Sequence, residues 1–254
     1  VLDNGSDDGT VEYLTKEHPD VMLVRNNRNH GFAAGHNQLM RFALDRCLAR
    51  RATAEGDPAE QEQCYVLCCN QDIILTPDFL KHLVEEADNH LEHGSFCGKL
   101  LRAYGENLND DVLKETVRSE LLDSTGLRGN RWRRFTDRGA GEMDNNQYDS
   151  EREIFGASGA LVLYRASVLS DVRLQDDFFD QDFFSYKEDI DLAWRMRTQG
   201  WGSRYVPEAK AYHWRGIYGK EKAGLWARIK NRGKQRPLFA AMSTRNQWLM
   251  LVKN

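Results

Sequence analysis

One short stretch limits the folds open to this chain more than any other. Tyr65-Val-Leu-Cys-Cys69 is apolar or thiol-bearing at every position and runs straight into Asn70-Gln-Asp72. Five residues are too few for a helix, and an unbroken apolar run without alternation fits a strand covered by helices on both faces. The flanking sequence agrees. Thr10 to Glu17 reads as a short helix and Val21 to Val24 as a strand. Phe32 to Arg51 reads as a longer helix with Met40, Ala43, Leu44 and Cys47 on one face. Pro77 opens a further helix in the favoured first position, with Leu80, Leu83, Val84 and Ala87 spaced to face a core. Val1-Leu2 is the end of a strand, and the polar stretch from Arg51 to Gln63 is a surface loop. Short strands alternating with helices predict an α/β domain built on a mostly parallel sheet.

The composition is compatible with that reading: 254 residues, 41% hydrophobic and 29% charged, exclude a disordered chain, collagen or a coiled coil. No run of about 18 apolar residues exists to span a bilayer. Of five cysteines, Cys64, Cys68 and Cys69 crowd one strand without the paired spacing of a zinc site, so reduced, buried thiols and a reducing, cytoplasmic setting are expected. The net charge of −4 is unevenly spread. From Arg215 onward ten Lys and Arg face one acid, Glu221, giving +9 there and −13 on the 214 residues before it. The expected division is therefore a domain over 1–214 and a basic tail over 215–254. Arg102 to Arg152, rich in Gly, Asp, Asn and Arg, reads as an insertion on the acceptor side of the domain.

Carboxylates fall where chemistry would need them. Asp3-Asn-Gly-Ser-Asp-Asp-Gly-Thr10 places an acid at the end of a strand and ahead of a helix, the edge at which open α/β sheets bind ligands. Asn-Gly and Asp-Gly also make ordinary turns, and the residues alone leave both readings open. Asn29-His-Gly-Phe-Ala-Ala-Gly-His-Asn37 sets Gly31 and Gly35 at a loop-to-helix junction, which suits either close packing or a neighbouring phosphate. Asp72 follows the buried strand, in reach of a hard divalent cation or of a turn-forming role. Phe155-Gly-Ala-Ser-Gly159 is small enough for a ligand or another element to approach its backbone. Glu188 and Asp189 head a helix to Gln199, where one of them could serve as a general base, whereas Asp191 and Arg195 are spaced as a structural ion pair. His213 gains meaning only if the fold carries it to Asp72.

Together these segments resemble the inverting family 2 glycosyltransferases, which have the Rossmann-like GT-A fold. The resemblance rests on Val1 to Thr10, Asn29 to Asn37, Leu67 to Asp72, Phe155 to Arg165, Phe183 to Arg195 and Pro207 to His213. Asp123-Ser-Thr-Gly126, Asp137-Arg-Gly-Ala-Gly-Glu142 and Gln147-Tyr-Asp149 look like the bacterial rhamnosyltransferase branch. The family's first strand and helix have no counterpart here, Gln71 stands where Pro is usual, and His36 where a small residue is usual. Carried over by position, the resemblance implies that Asp3 binds the nucleobase, with Asn4, Ser6, Gly31, Gly35 and Asn37 around the nucleotide. It implies that Asp72 and His213 hold Mg²⁺ or Mn²⁺ and that Gly156, Ala157, Ser158 and Gly159 border the donor sugar. Asp189 would be the base, with Glu188 shaping the site.

The implied activity is transfer of a sugar, rhamnose from dTDP-rhamnose, to a glycan or lipid-linked glycan acceptor. Another donor, such as UDP-galactofuranose or a UDP-hexose, is the rival within enzymes, and a non-catalytic nucleotide-sugar-binding fragment the rival outside them. Lys220 to Pro237 mixes cations with Leu225, Trp226 and Ile229 as an anionic membrane surface requires, which places the protein at the inner face of the cell membrane. Nucleic acid is not expected as a partner, since no recognised nucleic-acid module accompanies the basic runs.

Overall fold

The computed structural model describes residues 1–53, 63–105, 116–214 and 237–254. Strand β3 (Tyr65–Cys69) lies where the sequence places it, and its pleat alternates as burial on two faces demands: Val66 and Cys68 turn to one core, Tyr65 and Leu67 to the other. Strand β10 (Leu161–Arg165), buried throughout, repeats the pattern beside it, with Val162 and Tyr164 on the first face and Leu161 and Leu163 on the second. Helix α2 (Gly31–Thr53) covers the first face with Met40, Leu44 and Cys47, aided by α4 (Ala166–Asp171). Helix α3 (Phe79–Asn89) covers the second with Phe79, Leu83 and Ala87. It starts two residues after Pro77, because a Thr76–Phe79 backbone turn comes first.

The main sheet has seven strands in the order β3-β10-β5-β11-β4, with β6 added on β5 and β9 on β11. These are β4 (Ile73–Leu75), β5 (His93–Gly105), β6 (Thr116–Ser124), β9 (Glu153–Ile154) and β11 (Gly202–Trp214). The α/β architecture with helices flanking a central sheet is the one expected, but the sheet is less parallel than expected. Within it only β5 and β11 run parallel, and the other pairs are antiparallel. Strand–helix alternation does not fix direction: β10 is entered from the edge where β3 ends, with the Asn70 N–H on the Ala160 carbonyl, so it must run back. A separate parallel pair joins β1 (Leu2–Asp3) to β2 (Val24–Arg25), and Val21 to Leu23 are not in a strand because β1 offers only two residues to pair with.

The 102–152 region begins as the second half of β5 and goes on to β6 and a hairpin of β7 (Leu127–Gly129) and β8 (Phe135–Asp137). Lys99, 1% exposed, fastens the turn that follows. Its ammonium donates to Asp144, Asn146 and Asp149 at 2.9–3.1 Å, which satisfies a charge that could not otherwise be buried. Arg138 is buried between the rings of Tyr148 and Tyr205 and donates to Thr125 and to the Glu151 carbonyl.

Two expectations change here. Cys47 and Cys64 form a disulfide, with Cα atoms 6.4 Å apart, because α2 crosses β3 and sets its buried face beside Cys64. Only Cys68, Cys69 and Cys97 are free, and the cysteines no longer argue for a reducing compartment. The end of the chain is no loose tail: helix α6 (Pro237–Lys253) packs on the domain, with Asn246 and Met250 fully buried. The basic stretch from Lys220 to Arg236, like most of the 51–63 loop, lies outside the described residues. Among the described residues no helix is long and apolar enough to cross a membrane.

Candidate active site

Candidate groups stand at the end of β1, at the end of β3 and at the head of a later helix. At the end of β1, the Asp3 side chain is buried, and its Oδ1 accepts the Ser6 N–H at 3.0 Å. Hydrogen bonding from Ser6 holds this carboxyl below the usual range, outweighing burial, and the Arg25 guanidinium 3.6 Å away acts in the same direction. Its Oδ2 is buried with no hydrogen-bond partner. Asn4 is occupied instead in holding the neighbouring loop: Oδ1 accepts from His30 N–H and Asn26, and Nδ2 donates to Asn29 Oδ1 and the Gly31 carbonyl. Gly31 has φ +87°, and a Cβ there would meet the Phe184 ring and carbonyl at 2.6 Å. Gly35 packs against Leu2 and Asn4. Asn37 is a structural pin: fully buried, it donates to the Phe179 carbonyl and accepts from Phe178 and Phe179, so it offers no exposed atom to a nucleotide.

Asp72 follows β3, and β11 brings His213 to it. The Trp214 N–H binds the Asp72 carbonyl at 2.7 Å, and His213 Nε2 lies 3.2 Å from Asp72 Oδ2. The other ring nitrogen, Nδ1, is 2.8 Å from Oδ2 of Asp123, a carboxylate 1% exposed that also faces Arg102. Asp72 Oδ1 is buried and has no hydrogen-bond partner. An orphaned carboxylate oxygen beside an imidazole whose far nitrogen is held by a second carboxylate is the donor set of a divalent cation with an oriented histidine ligand. With only two protein ligands, such a cation would complete its shell with diphosphate oxygens and water. Asp123 is the functional residue that sequence reasoning did not assign. It lies in a segment noted for its resemblance, but its partner is 90 residues away.

The third group heads helix α5 (Glu188–Thr198). Asp189 Oδ2 accepts the Gly159 N–H at 2.9 Å and Oδ1 its neighbour's N–H, from Ile190, at 2.8 Å. Gly159 lies where a Cβ would be 3.3 Å from the Asp189 Cβ and 3.4 Å from the Phe32 ring, so it joins α5 to the start of α2. Gly156 is backed by Ala193, and Ala157 is buried in the core; these two serve packing, while Ser158 is half-buried. Burial raises the pKa of both Glu188 and Asp189, and the Asp189 charge raises that of Glu188 further. Two backbone N–H donors favour the anion on Asp189, whereas Glu188 Oε2 is buried without a partner. The pair is thus set to hold one proton, on Glu188, with Asp189 free to accept another.

Strain marks the approach to α5. Phe184, Tyr186 and Lys187 all have φ between +60° and +75°, a region costly for side-chain-bearing residues. Asn246 of α6 holds them there, its amide donating to the Phe183, Ser185 and Tyr186 carbonyls at 2.8–2.9 Å. The structural pair of α5 is as expected, with Arg195 Nε 3.0 Å from Asp191 Oδ2.

A cavity of about 600 Å³ does not lie over the three acids but beside them, on the hairpin side of α5. Its walls are Phe135, Phe155 and Trp194; Arg128, Arg133 and Arg197 line it without a carboxylate partner among the described residues, and Glu151 and Glu153 line it too. The Leu127 N–H donates to the Gly156 carbonyl at 2.8 Å, so this cavity and Asp189 share both α5 and the 154–159 segment.

Comparison with known proteins places the chain. Residues 1–173 match the sequence profile of Glycosyl transferase family 2. The chain is similar to the N-acetylglucosaminyl-diphospho-decaprenol L-rhamnosyltransferase of Mycobacterium tuberculosis, with 28% identity over 84% of this chain and 65% of that protein. It is also similar to the rhamnosyltransferase WbbL of Escherichia coli, with 26% identity over 84% of this chain and 77% of that protein. The chain thus spans 65% of the length of the mycobacterial relative. Its fold matches that of GalNAc-T7, solved with UDP, GalNAc and Mn²⁺, with a TM-score of 0.54 and 12% identity over 91% of this chain and 40% of that one. With its GT-A-type fold and the profile match over most of its length, the chain belongs to glycosyltransferase family 2 and is rhamnosyltransferase-like.

Proposed function

We propose that this chain is the nucleotide-sugar-binding and catalytic part of an inverting, metal-dependent glycosyltransferase that moves rhamnose from dTDP-rhamnose to a lipid-linked glycan. The observation that carries the reading is Asp72 Oδ1, buried without a hydrogen bond beside His213, with Asp3 Oδ2 at the end of β1 and Glu188 Oε2 at the head of α5 also lacking one. Buried polar atoms without hydrogen bonds are rare, and each of these is open to a ligand.

Each group then has a defined task. Asp3 Oδ2 accepts an N–H from the nucleobase. Asp72 and His213 would hold Mg²⁺ or Mn²⁺, which supplies charge neutralisation to the departing diphosphate. Asp189 takes the proton from the acceptor hydroxyl as that oxygen bonds to the anomeric carbon. The bond from that carbon to the diphosphate oxygen breaks with its electron pair leaving on the nucleotide. A single displacement inverts the anomeric centre. Glu188, protonated, keeps a second negative charge away from the base.

The donor and acceptor classes draw on the mycobacterial relative, whose name specifies a rhamnosyl transfer to a sugar diphosphate lipid. The arginine- and aromatic-lined cavity suits an acceptor with sugar faces and negative charge. A donor screen on the full-length protein, read by nucleotide release, tests the proposal. dTDP-rhamnose should give the highest acceptor-dependent turnover. Turnover confined to UDP-sugars would overturn the donor, and none with any donor would overturn the enzyme reading.

A further inference from the structure

A second set of metal-ligating atoms converges at the opposite end of β5 from the candidate active site. Helix α3 ends at Asn89, and the turn His90-Leu91-Glu92-His93 leads into β5. Inside it His90 Nδ1 lies 3.3 Å and His93 Nδ1 3.0 Å from the same Glu92 oxygen, Oε1. All three ligand atoms fall within 4.8 Å of one another. Two ligands of one tetrahedral zinc, bound at about 2.0–2.1 Å, are separated by roughly 3.3 Å.

The far nitrogens explain the orientation. His93 Nε2 is 2.9 and 3.0 Å from the two oxygens of Glu153, and His90 Nε2 is 3.5 Å from Glu86. On His93 the carboxylate on Nε2 is where the imidazole keeps its N–H, which leaves the Nδ1 lone pair pointing inward. That is the carboxylate–histidine–metal arrangement. His90 Nδ1 is instead hydrogen-bonded to Glu92 and would exchange that bond for the ion. The His93 side chain is 5% exposed, and its Nδ1 is buried without a hydrogen bond, since Glu92 Oε1 lies off the line one would need. The His93 Nδ1 lone pair and the Glu92 oxygen 3.0 Å from it repel unless a cation or proton stands between them. The turn itself is rigid: Arg165 donates to the carbonyls of Ala87, His90 and His93, and a Cβ on Gly202 would collide with the His93 ring at 2.7 Å.

We propose that His90, Glu92 and His93 bind one zinc-class divalent ion. Two nitrogens and one carboxylate oxygen select zinc, cobalt or nickel over magnesium or calcium. The Glu92 side chain is 65% exposed, so a fourth position opens to water. Bound there, the ion joins the end of α3 to β5 and, through Glu153, to β9, the strand that leads into the 155–159 segment. This site is independent of the proposed transfer activity. Arg102, the residue paired with His213, lies nine residue steps along β5 from His93, which is about 30 Å along an extended strand.

The test uses untagged, chelator-treated full-length protein dialysed against micromolar zinc, with bound metal measured by elemental analysis. Asp72→Asn, which lacks the Asp72–His213 cation site, should still take up one zinc per chain, and the parent at least one. Glu92→Gln, a change on an exposed side chain, should weaken uptake at least about tenfold, and His90→Gln with Glu92→Gln should abolish it while circular dichroism stays unchanged. Cobalt(II) should give tetrahedral visible absorption in the parent and lose it in the double variant. A hundredfold excess of zinc over its Kd should raise Tm by about 5 °C or more. No uptake, uptake indifferent to both variants, or uptake lost in Asp72→Asn would each overturn the site.

Discussion

Replacing Asp189 by asparagine removes the proposed base while leaving the outline of its side chain in place. Loss of a positioned general base costs about 10²–10⁴ in rate, and that is the fall expected in acceptor-dependent turnover. The structure adds a second, separable effect. Both carboxylate oxygens accept backbone N–H groups, from Gly159 and Ile190, and an amide can accept only one of them. The other donor is left facing an NH₂, at a cost of about 1–3 kcal/mol, or roughly 2–10 °C in Tm for a chain of this size. Measurement should therefore combine steady-state nucleotide release, a thermal melt and nucleotide titration with Mn²⁺ on the full-length protein. Nucleotide affinity should be unchanged, because Asp3 and Asp72 remain. In the parent, kcat/KM should rise with pH through a value above the ordinary carboxylate range, since burial holds Asp189 protonated to higher pH. That rise should vanish in the variant. Turnover within about fivefold of the parent, with the pH dependence intact, would refute the assignment.

Further consequences follow from neighbouring residues. Glu188, raised by burial and by Asp189 from its usual 4.5, keeps a proton in the folded state that the unfolded chain releases, so stability should fall as pH rises from about 4.5 to the raised value; Glu188→Gln should flatten this trend in chemical denaturation, and an unaltered slope would count against it. Gly31→Ala puts a methyl against Phe184 at a φ of +87° and should lower Tm by several degrees while weakening nucleotide binding; a parental melt would show that the loop relaxes freely. Asp123→Asn removes the carboxylate on His213 Nδ1 and should weaken Mn²⁺ affinity about 10–100-fold in calorimetry, an effect absent if His213 is only structural. Arg133→Ala should raise KM for an anionic acceptor with little change in donor affinity, and an equal rise for a neutral acceptor would contradict the cavity's role.

Much of this was legible in the residues. The run from Tyr65 to Cys69 announced a strand covered on both faces, and four of its five side chains turn to one core or the other while Cys69 is exposed; the acids after β1 and β3 marked the strand ends at which the site is proposed. Strand direction was not legible, since alternation of helices and strands says nothing about which end of β10 enters the sheet. The Cys47–Cys64 bond was missed because it depends on how α2 crosses β3. Asn37 looked like a ligand for a nucleotide because its segment does, yet its amide is spent on Phe178 and Phe179, a contact across some 140 residues. Asp123 and Asn246 escaped notice for the same reason: each acts through partners distant in sequence, and no local spacing encodes that.

The convergence of Asp3, Asp72 and Asp189 on one ligand is tested most directly by a crystal structure with dTDP and Mn²⁺, read by manganese anomalous scattering. The account predicts a single anomalous peak bonded to Asp72 and His213, the thymine N–H on Asp3, and the terminal phosphate turned toward Asp189. A nucleotide bound away from Asp3, or manganese away from Asp72, would contradict it.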